Sequence, residues 1–195
     1  MGGRDAQQLL DTARATSAKA AATPMFDDAE LLDLAAEGVA ATASPEDAVL
    51  LRQALADENL NLRVAAVRGL GRSDFKASEL PALAMNAEPR LALAAAHTLA
   101  ELGDRTALDA LVRLVSATDE KVRVRSEEVL RAWTGCDFGF NPFQDPAAQK
   151  DRIAKWKNWV ADKGRTAKLI HPLRFAPLLE DLRSGLMLHY TFEPE

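Results

Sequence analysis

One stretch of this chain is written three times, and that self-similarity limits its fold more than any other feature. Leu60 to Gly71 reads LNLRVAAVRGLG; 29 positions on, Pro89 to Ala100 reads PRLALAAAHTLA; 60 positions on, Glu120 to Arg131 reads EKVRVRSEEVLR. The aligned columns are Leu62, Leu91 and Val122; Val64, Leu93 and Val124; Ala66, Ala95 and Ser126; and Leu70, Leu99 and Leu130. Upstream segments keep the same offsets, aligning Leu51 with Leu80 and Leu111, Ala54 with Leu83 and Leu114, and Leu55 with Ala84 and Val115. Each unit is therefore an apolar-periodic helix, a short turn and a second such helix. One such hairpin cannot bury both its faces, so the units must stack and the ends of the stack must be covered.

The residues between the periodic stretches agree. Asp27 and Glu30 form a capping box, with Phe26 and Leu31 placed as a hydrophobic staple. Ser44-Pro45-Glu46-Asp47 combines an N-cap, a first-turn proline and an acidic third position. Asp104 and Asp119 stand at expected helix starts, and Asp145-Pro146 repeats the cap-plus-proline signal. Gly71 and Gly103 are expected just past helix ends, where a left-handed residue is needed. Pro81 falls inside a predicted helix and is expected to kink it.

Pro89-x-Leu-x-x-Ala-Ala-x-x-Leu-Ala-x-Leu-Gly103-Asp104 resembles HEAT repeats, in particular the short bacterial HEAT-like repeats of phycobilin lyases. The resemblance implies an all-α fold, a right-handed α-α superhelix with three units over 44–134. It places a helical cap or degenerate repeat at 1–43, an aromatic-rich capping loop and helix at 135–164, and a short extended tail at 165–195. In that family a second-helix arginine pairs with an acidic group at a nearby turn; Arg63 and Arg123 match its position, while Ala92 departs from it. The family implies a scaffold and no single activity, because function resides in sites carried by a fold.

Charge and aromatics divide the chain. Residues 1–145 carry 15 basic and 23 acidic side chains, and residues 146–195 carry 9 and 6. Nucleic-acid binding draws on a basic stripe that neutralises phosphate, so the acidic balance of the repeats argues against that role there. Only Phe26 and Phe75 are aromatic between Asp5 and Arg131, whereas nine aromatics follow. Cys136 is the single cysteine, which rules out an intrachain disulfide and a cysteine-based zinc site and fits a reducing compartment without excluding export. No apolar run reaches the ~18 residues of a membrane span, and the polar stretch after Met1-Gly-Gly-Arg4 does not read as a signal peptide.

Past Trp133 the pattern breaks. Thr134-Gly-Cys-Asp-Phe-Gly-Phe-Asn-Pro142 resembles a closing element found after bacterial HEAT arrays, and a helix is expected from Pro146 to about Lys163 with Ile153, Trp156, Trp159 and Val160 on one face. This reads as an aromatic plug over the last unit. Gly185 to Phe192 alternates like a strand and resembles the first strand of concanavalin-A-like or laminin-G-like sandwiches. A lone strand has no sheet to join.

The chemistry of bond-making is thinly represented. His97, His171 and His189 are far apart, no metal-ligand spacing occurs, and no glycine-rich phosphate loop or nucleophile elbow is present. No catalytic, cofactor or metal residue is expected, and no cofactor. The second helices of HEAT units line the concave side, and Arg63, Arg68, Arg90, His97, Arg125 and Glu128 are expected exposed there. Arginine suits an interface because its planar fork pairs two ways with a carboxylate. These residues point to a non-catalytic scaffold whose protein partner has an acidic or mixed surface. The alternative is a nucleic-acid module, of the HEAT-like DNA glycosylase type, using the basic run Lys150, Arg152, Lys155, Lys157, Lys163, Arg165, Lys168 and Arg174. A chromophore-lyase subunit, invited by the family alone, has no pocket residues to support it.

Overall fold

The computed structural model describes residues 43–74 and 77–170, together with Asp11. The N-terminal capping box, the tail strand, Arg174, His171 and His189 lie outside the described residues. Seven α-helices make up the described part: α1 (Ala48–Ala54), α2 (Leu60–Ser73), α3 (Leu80–Ala84), α4 (Pro89–Glu101), α5 (Thr106–Leu114), α6 (Glu120–Thr134) and α7 (Lys150–Lys163). Single 3-10 turns at Pro45–Asp47 and Pro146–Gln149 lead into α1 and α7. No strand occurs among the described residues.

The helices pair as hairpins, α1 with α2, α3 with α4 and α5 with α6. The second helices α2, α4 and α6 then lie side by side, and α3 packs on α5. The repeated columns explain why. Leu62, Leu91 and Val122 are buried, as are Ala66, Ala95 and Ser126, and Leu70, Leu99 and Leu130. On the first helices Leu51, Leu80 and Leu111 are buried equivalently. Hairpins that could not hide these faces singly hide them in one continuous interior, an all-α solenoid.

The turns before the second helices are capped at one equivalent position. Asn59, Glu88 and Asp119 each accept a backbone N–H of the following first turn, from Asn61, Arg90 and Lys121 respectively. Asp104 does the same for α5, accepting from the Thr106 amide at 2.9 Å. At the other end of α4, Gly103 has φ 77° and lets the Asp104 amide reach back to the Leu99 carbonyl at 2.8 Å, the left-handed helix stop expected there.

Gly71 is not such a stop. It lies within α2, which continues to Ser73. A Cβ on it would sit 2.0 Å from Thr98 Cγ2 of α4. The glycine is there so that two second helices can approach closely, a use that offsets its helix penalty of about 1 kcal/mol. Pro81 likewise differs from expectation. It occupies the first turn of the short helix α3, where its missing N–H would have had no helical partner, and so it begins a helix without kinking one.

The last layer is built differently. From Thr134 the chain turns back and runs along α6 as an extended segment. Arg131 of α6 meets Asp137 at 3.1 Å, and Arg123, two turns earlier on the helix, donates from Nε to the Pro142 carbonyl at 2.9 Å. Arg123 also donates to the Ala117 and Thr118 carbonyls, while Glu120 stands 3.9 Å away. The expected arginine–acid pair is thus chiefly an arginine–carbonyl clamp on the turn. Between these arginines lies Glu127, 5% exposed, whose carboxyl burial pushes above its ordinary range despite Arg131.

Helix α7 then packs on α5. Arg105, just before α5, donates to the Gly164 and Ala167 carbonyls just after α7, so the two helices run antiparallel. Trp156 is fully buried and takes Phe138 edge-on, with ring centroids 4.7 Å apart. Trp133 is equally enclosed, and neither indole N–H has a hydrogen-bond partner. These two rings therefore contribute to the layer by apolar contact alone, beside the polar ties of Arg105, Arg123 and Arg131.

Gly71→Ala is expected to destabilise the protein by about 1–3 kcal/mol, the usual cost of overpacking a filled interior. Thr98→Ser removes the Cγ2 methyl that the new Cβ would strike. Urea unfolding of the single and double variants checks this: the double variant should recover most of the loss, and additive losses would mean that the contact is not what requires glycine.

Candidate functional site

The units' register brings Arg68, His97 and Glu128 into one row across α2, α4 and α6, with Arg125 one helical turn from Glu128. Arg68 was expected exposed, and it is buried at 7%. Its fork grips the Glu101 carboxylate, Nη1 to Oε2 at 2.9 Å and Nη2 to Oε1 at 3.2 Å. Nη1 also donates to Nδ1 of His97 and reaches Thr98 Oγ1 at 3.4 Å. Arg68 is therefore an internal tie between neighbouring second helices. The correction has a plain cause: α2 and α4 approach so closely at Gly71 and Thr98 that a side chain reaching from one falls onto the other.

His97 is half-buried with its ring held. Burial, then the positive charges of Arg68 and Arg125, lower its pKa from 6.5 to about 3. The imidazole is neutral at ordinary pH, and its Nδ1 accepts from Arg68. Glu101, 3.7 Å from Nδ1, makes its ion pair with the arginine.

The other candidates separate. Arg125 and Glu128 are exposed and pair with each other at 3.2 Å. Arg90 is half-buried and donates to Asn61 Oδ1 at 3.2 Å, tying the starts of α4 and α2. Arg63, also half-buried, belongs to the column of Ala92 and Arg123, both of them buried. That column faces the turns, so Arg63 stands apart from the row. Lys121, exposed, continues the row of Asn61 and Arg90 onto α6.

An apolar row was hidden by its own regularity. Val64, Leu93 and Val124 read as one more core column, yet Leu93 and Val124 are only half-buried. They lie between the row of Asn61, Arg90 and Lys121 and the row of Arg68, His97 and Glu128, because residues three and four apart share a helix face. The second-helix surface thus has an apolar middle and polar margins. Its signal in the sequence was the spacing to both polar rows.

The basic run of α7 is divided. Lys150 and Lys157, seven residues apart, fall on one flank of the buried Ile153–Trp156 stripe at about 100° per residue. Arg152, Lys155 and Lys163 fall on the other, near half-buried Trp159. Asp151, Asn158 and Asp162 separate them on the outermost face. Cys136 is half-buried, its amide donating to Thr134 Oγ1 at 3.1 Å. Among the described residues no group of three or more His, Cys, Asp or Glu is placed to hold a metal ion. No helix among them is long and apolar enough to cross a membrane.

A family model for HEAT repeats matches residues 48–131, the span from α1 to near the end of α6. Residues 48–131 are therefore an array of HEAT repeats, and repeats of this family are commonly protein-interaction scaffolds. Neither curated proteins nor solved structures gave a match.

The neutral His97 carries a pH signature. Its folded pKa is depressed, so the stability it confers is complete above pH ~6.5 and is lost as pH falls toward 3, by at most about 1.4 kcal/mol per pH unit. Replacing it by glutamine keeps an acceptor for Arg68 and removes the titration. Urea midpoints at pH 7 and pH 5 should converge in His97→Gln relative to the wild type. An unchanged pH slope would contradict the buried, neutral ring.

Proposed function

We propose that this protein is a non-catalytic interaction scaffold that binds another protein across the surface formed by α2, α4 and α6, the side that is concave in HEAT arrays. The observation that carries the reading is the half-exposed apolar row of Leu93 and Val124, bordered by Arg90 and Lys121 on one side and by Arg125 and Glu128 on the other. An apolar centre with a polar, charged margin is the usual anatomy of a protein interface. The partner would offer an apolar ridge with acidic or mixed flanks.

Ion pairs within the repeats narrow the contact set. Arg68 serves the interior, and Arg63 lies off the surface, so neither is a binding residue in this reading. Leu93, Arg90, Lys121 and Arg125 are the residues through which a partner would be felt, with His97 a neutral donor beside them through Nε2.

The test uses this chain as bait, crosslinked to whatever it captures, beside an Arg90→Glu/Arg125→Glu variant and a Leu93→Lys variant. Capture of the same protein should fall by roughly 10-fold or more, since central interface residues are worth on the order of 1–2 kcal/mol each. Thermal melting of both variants verifies that they fold. Equal capture by folded variants would remove this surface from consideration.

A further inference from the structure

Several arginines of the repeats are paired with acids of the same chain. Arg52 pairs with Asp74 and Glu79, Arg68 with Glu101, Arg125 with Glu128, and Arg131 with Glu127 and Asp137. Other cations have no acid partner among the described residues. Among the described residues, no carboxylate forms an ion pair with Lys150 or Lys157 of α7. Arg113 of α5 donates only to neutral groups, the Ala84 and Asn86 carbonyls at 3.1 and 3.2 Å.

Two of these cations, Arg113 and Lys157, line one groove. It lies between α5 and α7, has a volume of about 360 Å³, and is lined by Asp109, Val112, Arg113 and Ser116 on one side and Lys157, Val160 and Ala161 on the other. Its floor is apolar: Val112 is buried, Val160 half-buried and Ala161 open to solvent. Arg113 and Lys157 stand on its rim, and Lys150, two turns before Lys157, extends the rim along the same flank of α7. Asp109 is the one acid in the lining, so the rim remains positive.

We propose that this groove docks an acidic amphipathic segment of a protein, with an apolar side chain over Val112, Val160 and Ala161 and carboxylates toward Arg113, Lys157 and Lys150. The floor decides between classes of anion. A nucleic acid would use the cations and leave the apolar floor unoccupied, and α7's division into two flanks breaks the continuous stripe that a phosphate backbone tracks. An amphipathic peptide satisfies both parts, in the manner of a helix laid in a groove. This site is on the first-helix side and is independent of the second-helix surface above, so either can fail without the other.

Fluorescence anisotropy on the full chain tests it. The probes are a fluorescein-labelled glutamate-rich peptide with leucines at helical spacing, the same peptide with every leucine changed to serine, and a labelled single-stranded oligonucleotide. The leucine peptide should bind ~10-fold tighter than the serine peptide, about the worth of one well-buried apolar side chain. Its binding should weaken with added salt. Lys150→Glu/Lys157→Glu should lower it by ~10-fold or more, while Arg152→Glu/Lys155→Glu, on the other flank, should leave it unchanged. All four are exposed side chains, so the variants fold, and melting curves verify this. No binding, equal binding of the serine peptide, tighter binding of the oligonucleotide, or equal loss from both flanks would each overturn the proposal.

Discussion

The close approach of the second helices governs most of this structure. α2 and α4 meet where Gly71 faces Thr98, with Ala66, Ala95 and Ser126 wholly enclosed along the row. Small residues at these places let the backbones come near, and the longer Leu70, Leu99 and Leu130 fill the space toward the first helices. Interiors packed to crystal-like density leave little room for error, so each unit's register sets its neighbour's. The polar ties follow from the same proximity. Arg68 can grip Glu101 and His97, and Arg90 can reach Asn61, only because neighbouring helices are one side chain apart.

That proximity also separates what could be read in the sequence from what could not. The columns of Leu62, Leu91 and Val122 and of Leu51, Leu80 and Leu111 were legible because burial repeats with the unit. The caps at Asp104 and Asp119 were legible because capping is local chemistry. Arg68 was not. Its column is polar in all three units, and polar columns look exposed until the distance to a residue 33 positions away is known. Gly71 resembles a helix stop because the reason for it, a methyl on another helix, is not local. Pro81 looked like an interior proline because α3 is shorter than its equivalents and starts one residue before it.

The surface reading changes accordingly. Six side chains once grouped as an exposed set divide into an internal tie at Arg68, an off-face residue at Arg63, and a remaining group of Arg90, His97, Arg125 and Glu128. The group gains meaning from the half-buried Leu93 and Val124 between them. Charge census alone had suggested an arginine-rich face. Pair by pair, the repeats neutralise Arg52, Arg68, Arg123, Arg125 and Arg131 with their own acids, whereas Lys150 and Lys157 of α7 keep their charge.

The reversed direction of α7 has a bearing on how such an array could be lengthened. Every hairpin up to α6 presents its successor with the same two-helix template, so a unit of similar period could be spliced in before Asp104 without disturbing the stacking rule. After Gly135 that template is gone. The extended return along α6 shifts the chain by half a cycle, and α7 lies against α5 pointing the other way. A newcomer stacked on that layer would find its first helix beside a neighbour of opposite polarity and its second beside a strand-like strip. The switch of direction works as a stop codon written in geometry.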